Sequence, residues 1–310
     1  ARLQLNAAMH NVVQIISWYP EVGQDKHLRQ HLRVSLPVDL LTLWAPGRSL
    51  AHFATCERIA VSRHAVFRVH EGNDVYALKE YALVGGPAAL RKSLQEAAFL
   101  VRAQHPNIAR VTSVFADLDA NCMYLQMPYY NGGSLDAWVA RENPDDLSLR
   151  RALGHVAMAV VHLHGLHIIH ADIKPANIFM DEHGIAHLGD FDISVDSGIR
   201  TSANYMQTTM LMHVGCTEGF AAPELFTTGA TEATDAFAFG ATMLSVATAT
   251  AERDALALKL KADQPALRPH FRQALADTFF NATFAWARRQ QRKCSICLDE
   301  GRHLEEGLEC

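Results

Sequence analysis

The sequence lacks an excess of basic charge, a long hydrophobic run and a regular array of cysteines. Its 310 residues include 28 Lys and Arg against 33 Asp and Glu, a net charge of −5 at pH 7. This balance argues against nucleic acid or an anionic membrane as the main partner. The most apolar helical stretch, residues 236–251, is short and contains Thr and Gly, so we expect a buried helix there rather than a membrane span.

The N-terminal residues also lack the succession of basic start, apolar stretch and cleavage site that marks a signal peptide. The six cysteines are scattered or grouped near the C-terminal end of the sequence, which is not the pattern of a disulfide framework and predicts a reducing, cytoplasmic location. Hydrophobic residues make up 49% of the chain and charged residues 20%. This composition indicates a globular protein with a sizeable core, and the length predicts about two domains or one two-lobed unit.

Local patterns divide the chain into a strand-rich part and a helix-rich part. Residues 1–50 carry apolar positions at mixed helical spacing, so we predict a helical segment of unassigned role. Further on, two strand-like runs flank Glu71-Gly72-Asn73-Asp74, a pattern typical of a hairpin. The patterns that follow predict a helix at 88–104, strands at 108–115 and 122–127, and a strong helix at 150–163.

The polar residues that phosphoryl transfer requires lie in two short segments. Asp172, Lys174 and Asn177 have the spacing i, i+2, i+5, and Asp190 follows in Gly189-Asp190-Phe191-Asp192. Transfer from a nucleotide needs a carboxylate facing the acceptor hydroxyl, a cation on the moving phosphoryl group and oxygen ligands for Mg²⁺. An Asp-x-Lys triplet alone is common in exposed loops, but the complete array points to phosphoryl transfer.

With this array, residues 56–280 resemble the protein kinase family. The resemblance implies an α+β fold of two lobes, a small antiparallel-sheet lobe with one helix and a larger, mainly helical lobe. It implies that residues 51–130 form the small lobe and hinge and residues 131–285 the large lobe. Residues 1–50 would be a separate N-terminal segment, and residues 286–310 a linker with an incomplete zinc finger.

The resemblance also implies the catalytic roles. Lys79, in Tyr76-Ala77-Leu78-Lys79, would hold the α- and β-phosphates of ATP and pair with Glu96. Asp172 would accept the proton of the substrate hydroxyl, and Lys174 would neutralise charge on the transferring phosphoryl group. The combination of Lys174 with Thr217 is similar to serine/threonine kinases, so the implied reaction is phosphorylation of protein hydroxyls.

The implied cofactors are ATP and Mg²⁺, with Asn177 and Asp190 as the Mg²⁺ ligands. Met127 would be the gatekeeper, and the hinge would offer adenine the Pro128 carbonyl and the Tyr130 N–H. The ATP-binding residues implied in this way are Val66, Ala77, Lys79, Met127, Pro128, Tyr130, Asn177 and Asp190. Glu224 would form a buried ion pair with Arg268, and Asp235 would anchor a helix beneath the catalytic loop.

Three features depart from the family pattern. The glycines of the phosphate-covering loop would fall at Ile59, Val61 and His64, and side chains there predict weaker nucleotide binding. Ala171 replaces the Arg that receives an activation-loop phosphate. Asp192 replaces the Gly of the family's metal-binding motif, which begins here at Asp190. The absent glycines are the main support for an alternative function, that of a catalytically weak or inactive kinase-like scaffold.

The cysteines near the end of the sequence suggest a further zinc site. Cys294 and Cys297, in Cys-x-x-Cys spacing, and then Cys310 resemble the opening of a RING finger, although a coincidental Cys-x-x-Cys is the alternative. A RING has eight ligands in two interleaved sites, and these three are too few, which suggests a longer protein. A completed RING would hold Zn²⁺ and bind a ubiquitin-conjugating enzyme, and the kinase-like part would present substrates to it.

Overall fold

In a computed structural model the protein consists of two compact units. The first comprises Ala1–Asn131 and Gly189–Ser194, and the second comprises Gly132–Leu188 and Val195–Cys310. The structure describes residues 2–5, 12–20, 27–35, 42–45, 47–61, 64–82, 97–117, 122–198, 217, 219–246 and 250–281, the first three of these stretches by backbone alone. No helix among these residues is both long enough and apolar enough to cross a membrane.

The first unit begins with strands at Arg2–Leu5, Val12–Pro20 and His27–Ser35, so the predicted helical segment is wrong for these described residues. A three-stranded antiparallel sheet has the order β1-β2-β3, formed by Arg2–Leu5, Val12–Pro20 and His27–Ser35. The sequence explains the difference, because residues 12–19 are rich in β-branched and aromatic residues, and residues 27–34 carry a cationic or imidazole side chain at every second position. Both patterns favour strands over a helix.

A five-stranded antiparallel sheet follows, with the order β4-β5-β6-β8-β7. Its strands are β4 Thr55–Val61, β5 Ala65–Glu71, β6 Asp74–Ala82, β7 Ser113–Asp117 and β8 Cys122–Pro128. The predicted hairpin is confirmed, since Glu71 pairs with Asp74 and the two-residue turn places Gly72 at a φ of 62°. Within the predicted helix at 88–104, residues 97–102 are helical.

One face of this sheet carries a buried hydrophobic cluster. Phe53, Val69, Leu78, Phe115 and Tyr124 form a buried cluster, in which the rings of Phe115 and Tyr124 stack with centroids 5.2 Å apart. The Tyr124 hydroxyl donates a hydrogen bond of 2.7 Å to Glu80. Burial and this hydrogen bond raise the pKa of Tyr124, so the phenol stays protonated and satisfies its polar end within the core.

The second unit is mainly helical, with short strands between the helices. The helices are α1 Leu135–Glu142, α2 Asp146–Gly165, α3 Leu225–Thr228, α4 Glu232–Ser245, α5 Ala251–Leu260, α6 Phe271–Ala274 and α7 Thr278–Asn281. A small sheet has the order β12-β11-β9, formed by Ala186–Leu188, Ile178–Met180 and Gly133–Ser134, and β10 Ile168–Ile169 pairs with β13 Val195–Asp196.

Helix α2 contains the strong helix predicted at 150–163. Its N-cap is Asp145, whose carboxylate accepts a hydrogen bond of 2.8 Å from the Ser148 backbone N–H; hydrogen bonding to Ser148 lowers the pKa of Asp145. The inward face of the helix buries the following residues: Leu149, Leu153, Val156, Ala157 and Val160. The apolar stripe explains why the sequence alone located the helix, whereas the capped first turn, residues 146–149, lies outside the predicted range.

A buried ion pair within the second unit joins Arg268 to Glu224, the residue directly before α3. The guanidinium of Arg268 contacts the carboxylate of Glu224 through both terminal nitrogens, and the Nη2–Oε2 distance is 3.1 Å. Arg268 also donates to the carbonyl oxygens of Ala262 and Ala233. The Arg268 side chain is fully buried, so loss of the carboxylate would leave a buried charge without its ionic partner.

We therefore expect Glu224→Ala to lower the free energy of unfolding by about 3 kcal/mol or more. Lys259→Ala is the matched control, because it breaks an exposed ion pair to Asp277 and should cost less than about 1 kcal/mol. Urea unfolding followed by circular dichroism measures both values. Equal losses in the two variants would contradict the structural role of the Glu224–Arg268 pair.

A second stability prediction concerns His155, which lies buried in α2. Its Nδ1 accepts a hydrogen bond of 3.3 Å from the Ala186 backbone N–H. Burial, reinforced by the nearby His187 and Arg151, lowers the pKa of His155 to about 4. In the unfolded chain an imidazole titrates near the ordinary value of about 6.5. The unfolded state therefore binds a proton first as the pH falls, and this stabilises the unfolded state relative to the folded one.

Between pH 7 and pH 5 this effect should lower the free energy of unfolding by about 2 kcal/mol. In His155→Gln the side chain keeps an acceptor for the Ala186 N–H but does not titrate. We expect the wild-type curve of unfolding free energy against pH to fall more steeply than the variant curve over this interval. Parallel curves in urea titrations at pH 7, 6 and 5 would contradict the depressed pKa.

Candidate active site

One face of the five-stranded sheet brings together four residues predicted to bind ATP. Val66 on β5 lies opposite Lys79 on β6, and Ala77 on β6 lies opposite Met127 on β8. Directly opposed residues in antiparallel strands, and residues two apart in one strand, point to the same face. Val66, Ala77, Lys79 and Met127 therefore share the face opposite to the Leu78 core, with Pro128 at the end of β8.

The ammonium group of Lys79 is held by carboxylates of the segment Gly189–Ser194. Lys79 Nζ lies 2.6 Å from Asp190 Oδ1 and 3.2 Å from Asp192 Oδ1. Asp190 adopts a φ of 62°, in the left-handed region that non-glycine residues rarely occupy. Lys79 is 8% exposed, so its attraction to these carboxylates is screened less than at an open surface. The sequence predicted Lys79 and Asp190 as site residues, and the structure places them in contact.

Asp192 also contacts His64, a contact that the sequence did not reveal. His64 Nε2 lies 3.2 Å from Asp192 Oδ2, and the imidazole lies against the Tyr81 ring with centroids 4.2 Å apart. The sequence signalled both positions only as departures from glycine. Neither departure indicated that the two side chains would meet.

The second unit gathers the residues of the loop between β10 and β11. Lys174 Nζ lies 2.7 Å from Asp172 Oδ2 and donates a hydrogen bond of 2.7 Å to Thr217 Oγ1. The Asn177 amide donates to the Asp172 carbonyl oxygen at 2.9 Å and to Asp172 Oδ2 at 2.8 Å. These bonds fix the Asp172 carboxylate between a cation and an amide, as preorganised acid–base chemistry requires.

The residues predicted to bind Mg²⁺ have the oxygen atoms that this ion prefers. The Asn177 side chain makes both hydrogen bonds to Asp172 through its amide nitrogen, and its Oδ1 retains the acceptor capacity of an amide oxygen. The Asp190 side chain is 34% exposed and contacts Lys79 through Oδ1. Carboxylate and amide oxygens are hard ligands suited to Mg²⁺, so each residue, within its own unit, fits the ion.

A buried carboxylate supports the loop that carries Asp172. Asp235 on α4 accepts hydrogen bonds from the backbone N–H groups of His170 at 2.9 Å and Ala171 at 2.8 Å, and its Oδ2 lies 2.9 Å from His164 Nε2. Ala171 has a φ of 66°, a conformation that costs an L-residue free energy. The contact predicted for Asp235 is therefore present, and it fixes the backbone one residue before Asp172.

Some predicted site residues cannot be placed. Glu96 lies outside the residues that the structure describes, and so do Cys294, Cys297 and Cys310. Among the residues that are described, no group of three or more His, Cys, Asp or Glu side chains has the arrangement of a metal site. The predicted roles of Glu96 and of the three cysteines therefore stay predictions.

Comparison with known proteins gives similar kinases from several eukaryotes. The chain is 37% identical over 163 residues to the L-type lectin-domain containing receptor kinase V.5 of Arabidopsis thaliana. The matched region covers 49% of the chain and 23% of that protein. It is 29% identical over 197 residues to the Pelle-like serine/threonine-protein kinase pik-1 of Caenorhabditis elegans. This matched region covers 59% of the chain and 38% of the relative.

A third relative, from Dictyostelium discoideum, is a bifunctional serine/threonine-protein kinase/NEDD4-like E3 ubiquitin-protein ligase. It is 25% identical over 239 residues, which is 74% of this chain but only 12% of that protein. The chain thus spans well under half the length of these relatives. The family model of the protein kinase domain matches residues 63–280. Because this match covers more than half of the chain and the sheet unit and helical unit have the predicted fold class, the chain belongs to the protein kinase domain family.

Proposed function

We propose that this protein is an active serine/threonine kinase that transfers the γ-phosphoryl group of ATP to a protein hydroxyl. The observation that carries the proposal is the hydrogen-bonded set of Asp172, Lys174, Asn177 and Thr217. It offers a fixed carboxylate beside a cation. The Lys79–Asp190 contact in the first unit supports the same function.

In the proposed reaction, Asp172 orients the substrate hydroxyl and accepts its proton. The hydroxyl oxygen forms a bond to the γ-phosphorus while the bond between that phosphorus and the bridging oxygen of ADP breaks. Lys174 offsets the negative charge of the moving phosphoryl group, and Lys79 holds the α- and β-phosphates. Asn177 and Asp190 would hold Mg²⁺, which when bound neutralises phosphate charge.

The assignment to serine and threonine acceptors rests on Lys174 and its hydrogen bond to Thr217. A cation in this position, two residues beyond the carboxylate, resembles serine/threonine kinases. The names of the nematode and Dictyostelium relatives agree with this assignment.

The second candidate function is a kinase-like scaffold with little or no activity. The observation that favours it is the absence of glycine at Ile59, Val61 and His64. Ile59 lies in β4 and is 41% exposed, so a bulky apolar side chain stands where close approach of backbone to phosphates would need none. This predicts weaker ATP binding than a glycine-rich loop would give.

The test between these functions is incorporation of labelled phosphate from ATP with Mg²⁺ into the protein itself or a generic basic protein. We expect Asp172→Asn to reduce incorporation at least about 100-fold, because the amide cannot accept the hydroxyl proton. Asp136→Asn, an exposed position on α1, is the matched control and should retain activity. Wild-type incorporation no greater than that of Asp172→Asn would favour the scaffold.

We also propose that Cys294, Cys297 and Cys310 belong to a RING finger, so that substrates bound by the kinase part could reach a ubiquitin-conjugating enzyme. The support is the cysteine spacing alone. The full-length natural protein should contain about two zinc ions per chain by elemental analysis. Cys294→Ser should lower this content, and zinc-free wild-type protein would reject the proposal.

A further inference from the structure

We propose that His64 and Asp192 form a coupled pair that positions the Lys79 ammonium group for nucleotide phosphates. The proposal rests on the proposed function, since it assigns Lys79 to nucleotide binding. Both residues stand where glycine was expected, and the structure shows that their side chains contact each other within the first unit. Two departures that suggested separate defects thus belong to one arrangement around Lys79.

The geometry of the Asp192 carboxylate supports the pairing. Its Oδ1 lies 3.2 Å from Lys79 Nζ and its Oδ2 lies 3.2 Å from His64 Nε2. The exposed fractions of these side chains are 12% for Asp192, 10% for Lys79 and 20% for His64. Each carboxylate oxygen has a partner, so the carboxylate cannot rotate without breaking one of the two contacts. His64 therefore fixes the orientation from which Asp192 holds Lys79.

Tyr81 forms a common support for the cation and the imidazole. Its ring is almost fully buried, it contacts the His64 ring, and Lys79 Nζ lies 5.6 Å from its centroid. The ring thus limits the movement of both side chains and favours a cation beside it. A change at His64 should consequently alter the position of Lys79 without unfolding the sheet.

Charge explains why Asp192 needs His64. Lys79 already contacts Asp190 and Asp192, and a bound nucleotide adds the negative charges of its phosphates to the same place. An N–H of His64 directed at Asp192 partly offsets the carboxylate charge and so weakens its repulsion of the phosphates. Without His64, we expect Asp192 to repel the nucleotide. Without Asp192, His64 has no carboxylate to orient.

A double-mutant cycle tests this coupling through the binding of the fluorescent nucleotide mant-ATP in the presence of Mg²⁺. We expect His64→Ala to weaken binding about tenfold by leaving the Asp192 charge uncompensated. In an Asp192→Gly background, the same change should alter the dissociation constant by less than about twofold. His183→Ala, a highly exposed histidine of the second unit, is the matched control and should bind as the wild type does.

A second background guards against a loss of folding in the glycine variant. Asp192→Asn keeps the shape of the side chain and removes its charge, so it should restore His64→Ala to within about threefold of wild-type affinity. Thermal unfolding of every variant shows which of them are folded, and the cycle is evaluated with the folded background.

The outcomes separate this inference from the proposed function. One outcome is that the wild type binds mant-ATP and that His64→Ala weakens binding equally in the wild-type, Asp192→Gly and Asp192→Asn backgrounds. This would overturn the coupled pair and leave the kinase proposal intact. Absence of mant-ATP binding by the wild type would overturn the proposed function and the positioning role together. If the effects of the His64 and Asp192 changes on mant-ATP binding are non-additive but the wild type transfers no phosphate, the pair is supported and catalysis is rejected.

Discussion

The contact between Lys79 and the carboxylates of the segment Gly189–Ser194 is the interaction on which the first unit depends. Asp190 lies 111 positions after Lys79 in sequence, yet the segment belongs to the same compact unit as the sheet. A buried ammonium group is unfavourable without such partners. The ion pair therefore attaches the segment Gly189–Ser194 to β6. It also places charged groups where a nucleotide phosphate is proposed to bind.

The second unit solves a comparable problem with one buried carboxylate. Asp235 receives two backbone N–H groups from the stretch that immediately precedes Asp172, and the backbone there includes Ala171 in a left-handed conformation. Strained backbone persists where surrounding contacts determine it. Helix α4 is long enough and sufficiently buried to act as a rigid support, so the loop that carries the proposed catalytic residues is held by the core of the unit.

The departures from the family pattern acquire a physical meaning only in three dimensions. Taken singly, His64 and Asp192 each add a side chain where the family pattern has glycine, and the substitution at His64 predicts weaker nucleotide binding. In the structure they contact each other and one of them contacts Lys79. Since the energetic effects of contacting residues are not additive, substitutions at two glycine positions cannot be evaluated independently in this protein.

The sequence by itself determined the local elements and the chemistry of the proposed site. Hairpin residues, the amphipathic α2 and the Asp172-x-Lys174 loop follow from turn propensity, helical periodicity and side-chain chemistry, which act over a few residues. The same reasoning failed for residues 1–50, where helical spacing competed with β-branched and aromatic composition and strands formed. Tertiary structure decided that His64 would meet Asp192, because a contact between side chains distant in sequence depends on how the whole unit folds.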